Sequence, residues 1–342
     1  MAATTGSARA PFVPRTVDGD ERVKPLELFF DLVFVFAITQ VTGMLSEDPT
    51  WAGLARGLLV LGVLWWAWVA YAWLTNTVDP EEGFVRLAMF AAMAAMLVVS
   101  LAAPEAFDDE ALLFGVGYFL VRALHIALYA IASRGNPDLR GAVVRLALPM
   151  LGAALIIIVA GFTDGWLQGA LWVAALVVDF GGVVVGGMEG WSVSPGHFAE
   201  RHGLIVIIAL GESIVAVGVG ASGLDIDGGV VAATVLGVGV AAALWWAYFD
   251  VVAPVAERRL RRATGVERAA LARDSYSFLH LPMVAGIVLI ALGIKKTSAT
   301  STATSRRSPP SACAAGSPFT SSATSSSVCA TCTPSTASAS SS

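Results

Sequence analysis

Cysteine is almost missing from this chain of 342 residues. Its three cysteines, Cys313, Cys329 and Cys332, all fall in the last thirty residues. The remainder is therefore not built on disulfides and offers no thiolate metal site. Charge is scarce too, at 14% of residues, where a soluble domain carries about 25%. The formal net charge of −5 argues against nucleic acid as a partner. There is no HExxH, no CxxC ahead of the last thirty residues, and no glycine-rich turn after a strand. Those absences exclude the common zinc and nucleotide motifs, and no cofactor is expected. No nucleophile–base pair can be placed, so the chain is not expected to be an enzyme. Residues 1–26 are polar and lack the short apolar core and cleavage site of a secretory leader, so the first helix is expected to act as its own insertion signal.

What is present is hydrophobicity in long blocks. Hydrophobic residues make up 56% of the chain and mean hydropathy is +0.73. Apolar runs of about 20 residues recur, each long enough to cross a bilayer core as a helix. The pattern predicts an all-α polytopic transmembrane bundle of about nine helices. They are read at 27–45, 51–74, 84–104, 111–133, 140–162, 166–188, 203–222, 228–252 and 278–296. Pro25 stands at the mouth of the first, where its missing N–H costs nothing. Ser194-Pro195 reads as cap and first turn for the seventh.

Basic residues set the expected topology. Arg and Lys populate the N-terminal segment and the gaps after helices two, four, six and eight; the other gaps hold none, with Lys295-Lys296 the one exception. By the positive-inside rule the N-terminus is cytoplasmic, in a bacterial inner membrane. A loop holding Arg258, Arg259, Arg261, Arg262, Arg268 and Arg273 is expected to contact anionic lipid headgroups. Trp65-Trp66-Ala67-Trp68 and Trp245-Trp246-Ala247-Tyr248 hint at a parallel internal repeat six helices long. Interfacial tryptophans are the plainer reading.

Within these apolar blocks a few ionisable groups stand out. Glu27 and Asp31 open the first helix four residues apart. At about 100° per residue they share a face, with Thr42 near it and Thr39 at its edge. Arg122 and His125 share a face midway along helix four. Asp179 lies well inside helix six, and Glu212, flanked by Gly211 and Ser213, lies near the middle of helix seven. A charge at that depth costs roughly 2.5–3.5 kcal/mol on insertion scales, so it needs a partner or a role. Arg122 is the natural partner for Glu212, Asp31 or Asp179. Asp250 and His280 lie nearer the membrane surface.

Two stretches carry a resemblance. Glu27–Gln40 and His197–Leu204, continuing through Leu210-Gly211-Glu212-Ser213-Ile214-Val215, resemble the signature stretches of the bacterial low temperature requirement A (LtrA) membrane family. Asp179-Phe180-Gly181-Gly182 fits the same pattern. The resemblance spans about residues 20–297. It implies a multi-pass inner-membrane protein linked by name to growth in the cold. It implies no reaction, substrate or cofactor.

The candidate site residues are Glu27, Asp31, Arg122, His125, Asp179, Glu200, Arg201, Glu212 and Ser213. They are expected to form one buried polar cluster, with Asp31 its cytoplasmic gate. The leading expectation is a transporter or channel-like protein moving a small solute or ion. The alternative is a non-transporting scaffold or lipid-interacting protein supporting growth in the cold. An intramembrane enzyme acting on lipid has the weakest support.

Residues 297–342 are a different material, rich in Ser and Thr, where the family pattern continues with apolar helices. Such a tail cannot bury a core and is expected to be disordered. Two readings stand side by side: a native tail, and an out-of-frame reading of a GC-rich gene. Resequencing the locus near codon 297 decides between them.

Overall fold

The computed structural model describes residues 22–222 and 226–305, with side chains through Gly293. Among them the chain is helical, without strands. The helices are α1 (Pro25–Glu47), α2 (Trp51–Thr75), α3 (Gly83–Ala102), α4 (Ala111–Ala132), α5 (Pro137–Ala160), α6 (Gly165–Gly186), α7 (Pro195–Ala221), α8 (Gly228–Trp246), α9 (Ala253–Arg262), α10 (Gly265–Leu271) and α11 (His280–Ser305). Wider π turns at Ala247–Val252 and Ala272–Phe278 join α8 to α9 and α10 to α11. Counted as continuous rods, nine helical segments in the described residues are long and apolar enough to cross a membrane.

Helix eight was expected to stop at 252, with an arginine loop before helix nine. Instead, Gly228–Arg262 and Gly265–Gly293 are near-continuous helical rods broken at Ala263-Thr264. Residues 253–271 are rich in Ala, Glu, Arg and Leu, which favour helix. The polarity there ends the apolar run but not the helix. Helix seven likewise begins at Pro195, not at 203. Helix α11 continues to Ser305, so residues 297–305 of the expected tail are helical. The rest of that tail, and residues 1–21 of the polar N-terminal segment, lie outside the described residues.

Helix α2 is the central post. Buried residues make up 89% of its apolar window, against 11% for the Gly228–Arg262 rod. It contacts α1, α4, α6, α7 and α11. Thr50 caps it, accepting a bond from the Gly53 N–H at 3.1 Å. The two tryptophan motifs live in different surroundings: Trp65, Trp66 and Trp68 are buried, whereas Trp245 and Trp246 are exposed.

Helices α5 and α6 pack closely through Pro149 and Gly182. A Cβ on Gly182 would sit 2.4 Å from the Cβ of Pro149. A proline ring cannot swing aside, so the two helices would have to separate. Gly182→Ala is expected to destabilise the purified protein by roughly 1–3 kcal/mol, as overpacking does elsewhere. Unchanged thermal unfolding in detergent would show that this contact is slack.

Candidate functional site

The sequence places Pro25 and Pro195 at the first helical positions of α1 and α7. Glu27 and His197 each follow by two residues, Asp31 and Arg201 by four more. The two helices run side by side in the same direction, so these positions meet. The Nε2 of His197 lies 3.1 Å from Oε1 and 3.0 Å from Oε2 of Glu27. Arg201 bridges both acids, with Nη1 at 3.5 Å from Glu27 and Nη2 at 3.0 Å from Asp31. These are charge contacts: neither terminal nitrogen makes a directed hydrogen bond. Helix α2 completes the group. Thr75 donates to Glu27 at 3.0 Å, and the Trp68 indole N–H donates to Asp31 at 2.9 Å. The Arg201 guanidinium also lies 5.6 Å from the Trp68 ring centroid. Glu27, Asp31, His197 and Arg201 are all buried.

The second group joins α2, α4 and α6. The Nη2 of Arg122 donates to both oxygens of Asp179, at 2.8 and 2.7 Å, and its Nη1 donates to the Trp66 carbonyl at 3.0 Å. The Tyr118 hydroxyl donates to Asp179 at 3.4 Å. Phe180, the neighbour of Asp179, stacks on Trp66 with ring centroids 4.0 Å apart. That stack holds the end of the ion pair in place.

A third contact lies deeper along α1 and α7. Thr39 donates to Glu212 at 2.6 Å. At 1.5 Å per residue this is about 12–16 Å along the helices from the Asp31–Arg201 contact. Ser213, beside it, is buried and its hydroxyl makes no hydrogen bond among the described residues. Thr42 turns its hydroxyl back to the Ile38 carbonyl.

The expected single cluster is therefore three separate groups. Arg122 pairs with Asp179, not with Asp31 or Glu212: its side chain reaches from α4 past α2 to α6, while Asp31 and Glu212 lie on α1 and α7. Asp31 is 1% exposed, held between Arg201 and Trp68. Glu200 belongs to none of the groups. It is exposed, accepts a bond from the Val23 N–H at 3.2 Å, and lines a crevice of about 630 Å³ with Arg22, Glu257, Arg261 and Phe249.

A family model described as the bacterial low temperature requirement A protein matches residues 22–334. The chain belongs to that family. Among curated relatives, an uncharacterized protein of Rhizobium meliloti (strain 1021) is 33% identical over 285 residues, covering 78% of this chain and 67% of its own. No solved structure matches. The match extends past residue 297, where the resemblance read from the motifs stops.

Both LtrA signature stretches now have a structural meaning: they are the facing edges of α1 and α7. His197 was missed as a site residue, as were Thr75 and Trp68. For His197 a signal existed, since a His and an Arg four residues apart mirror a Glu and an Asp four residues apart. Nothing in the sequence marks Thr75 or Trp68 as a partner of the acids.

The Arg122 group also borders an internal cavity of about 60 Å³ between α2, α4, α5 and α6. His125 and Tyr129 line it with Arg122, and all three are buried. The Nε of Arg122, both ring nitrogens of His125 and the Tyr129 hydroxyl make no directed hydrogen bond. The Ala70 backbone and the Thr77 hydroxyl come near His125 and Tyr129 without reaching that geometry. No acidic side chain lines the cavity among the described residues.

Proposed function

We propose that this LtrA protein is a carrier or channel-like protein of the bacterial inner membrane, with a cytoplasmic N-terminus, that moves a small polar solute or ion. One observation supports this above the others: Asp31, Arg122, Asp179, Arg201 and Glu212 are all buried in helices that are otherwise apolar. A charged side chain carried into the membrane costs roughly 2.5–3.5 kcal/mol on insertion scales. A bundle shaped only for packing gains nothing from such charges. Glu212, buried in the same bundle, supplies a protonatable group for coupling.

Flux into proteoliposomes tests the reading. The wild-type protein is expected to move a labelled solute or a proton signal, and Glu212→Gln to slow it by about a hundredfold, as loss of a general acid–base group does at the low end. Full flux in Glu212→Gln removes that residue from the mechanism.

A second reading is favoured by α9. Arg258, Arg259, Arg261 and Arg262 are exposed there while Leu260 alone is buried. Such a helix suits an anionic lipid surface. In that reading the protein is a scaffold that supports the membrane in the cold, and the buried pairs only lock helix packing. Tighter binding to anionic than to zwitterionic vesicles, with no flux of any solute, would favour it.

A further inference from the structure

We propose that the crevice beside Glu200 binds one glycerophospholipid whose headgroup is zwitterionic and carries a primary amine. Helix α7 forms one wall and the rod from Phe249 to Arg261 the other. The walls run antiparallel. Gly203 lies opposite Phe249, where a Cβ would sit 3.4 Å from the ring. From that level Glu200 and Arg22 lie toward the start of α7, and Glu257 and Arg261 continue from Phe249 toward the same end. Four charged side chains therefore gather at one mouth. Arg22, Glu200 and Arg261 are exposed there, and Glu257 is half-buried. The other end is apolar, with Ile207 exposed and Leu204 and Phe249 half-buried.

That order is the order of a membrane lipid. Ile207 lies about 10 Å beyond Glu200 along α7. On spanning helices the charged end sits at the bilayer surface, level with the headgroups, and the apolar end faces acyl chains. A water-soluble ligand would leave the apolar half unused. The charges choose the head. Two guanidiniums and two carboxylates carry no net charge. Arginine binds phosphate through paired N–H groups. A carboxylate only accepts, so it favours a head that donates. A primary ammonium donates three N–H bonds, a quaternary ammonium donates none, and a glycerol head brings no positive charge. The ion pair already present is of the weak kind: Arg261 and Glu257 meet at 2.8 Å as an exposed i, i+4 pair. A ligand offering both charges at once competes with it. At about 630 Å³ the crevice is within the range of ligand sites, about 300–1,000 Å³. It takes the head, the glycerol and the start of an acyl chain, leaving the remaining chain in the bilayer.

This site does not rest on the carrier reading, and it differs from the lipid-surface reading, which asks for anionic heads and no crevice. The experiment is thermal unfolding of the purified full chain in detergent. Phosphatidylethanolamine, phosphatidylcholine or phosphatidylglycerol with matched acyl chains is added in mixed micelles. Phosphatidylethanolamine is expected to raise the unfolding temperature with saturation, at a concentration about tenfold below the other two, the worth of one hydrogen bond to a charged group. Glu200→Gln keeps an acceptor for the Val23 N–H and loses the charge. It is expected to abolish most of that preference. Arg261→Gln is expected to weaken all three lipids together, since each carries a phosphate. The inference fails if no lipid gives a saturable shift, if the three respond alike as annular lipid would, or if either variant binds as the wild type does. A preference for phosphatidylglycerol overturns it as well, and favours the lipid-surface reading instead.

Discussion

Arg122→Met is expected to destabilise the bundle by about 3–5 kcal/mol, the usual loss when one partner of a buried ion pair is removed. The Asp179 carboxylate would keep the Tyr118 bond at 3.4 Å and lose both short bonds from Arg122. It would then be a nearly unpaired charge inside the bundle. The Trp66 carbonyl would lose its donor as well. Arg122→Met combined with Asp179→Leu is expected to recover most of the loss, because no charge is left behind. Unfolding of the single and double variants in detergent provides the comparison. If the double variant is as unstable as the single, the pair is not acting as a unit and its pairing does not explain the burial of these residues.

Arg201→Gln is expected to cost a similar 3–5 kcal/mol for a sharper reason. Arg201 is the guanidinium that lies between Glu27 and Asp31. Without it, the two acids, one helical turn apart, would keep the His197 contact and the bonds from Lys24 N–H, Thr75 and Trp68, but no charge between them. Arg201→Lys is expected to fall between wild type and Arg201→Gln. A single ammonium keeps the charge but cannot present two nitrogens, one at 3.5 Å from Glu27 and one at 3.0 Å from Asp31. Equal stability of wild type and Arg201→Gln would mean that α1 and α7 are held together by apolar packing alone.

Much of the architecture was legible because apolar run length and helix count answer to one constraint, the thickness of a bilayer. The same measure misled at the end of helix eight. Arg258–Arg262 ended the hydrophobic signal, but arginine is a good helix former and the rod continued. The intramembrane acids were legible for a related reason, since a lone carboxylate in an apolar block is conspicuous. Their partners were not. Thr75 and Trp68 are ordinary membrane-helix residues until α2 is laid against α1. Arg201 was conspicuous, but it lies 170 residues beyond Asp31 in the chain.

By itself, then, the amino-acid order determined a helical membrane protein, its family, Pro25 at the mouth of the first helix, and the residues whose charge demands compensation. Those properties are local: they depend on composition and spacing within one turn or one span. The tertiary structure alone decided that the charges divide into three groups, that Asp31 is sealed by Arg201 and Trp68, that Glu200 stands outside, and that a cavity remains beside Arg122. Pairing between helices depends on which faces pack together. That choice is made by the summed contacts of whole helices, and no single residue records it.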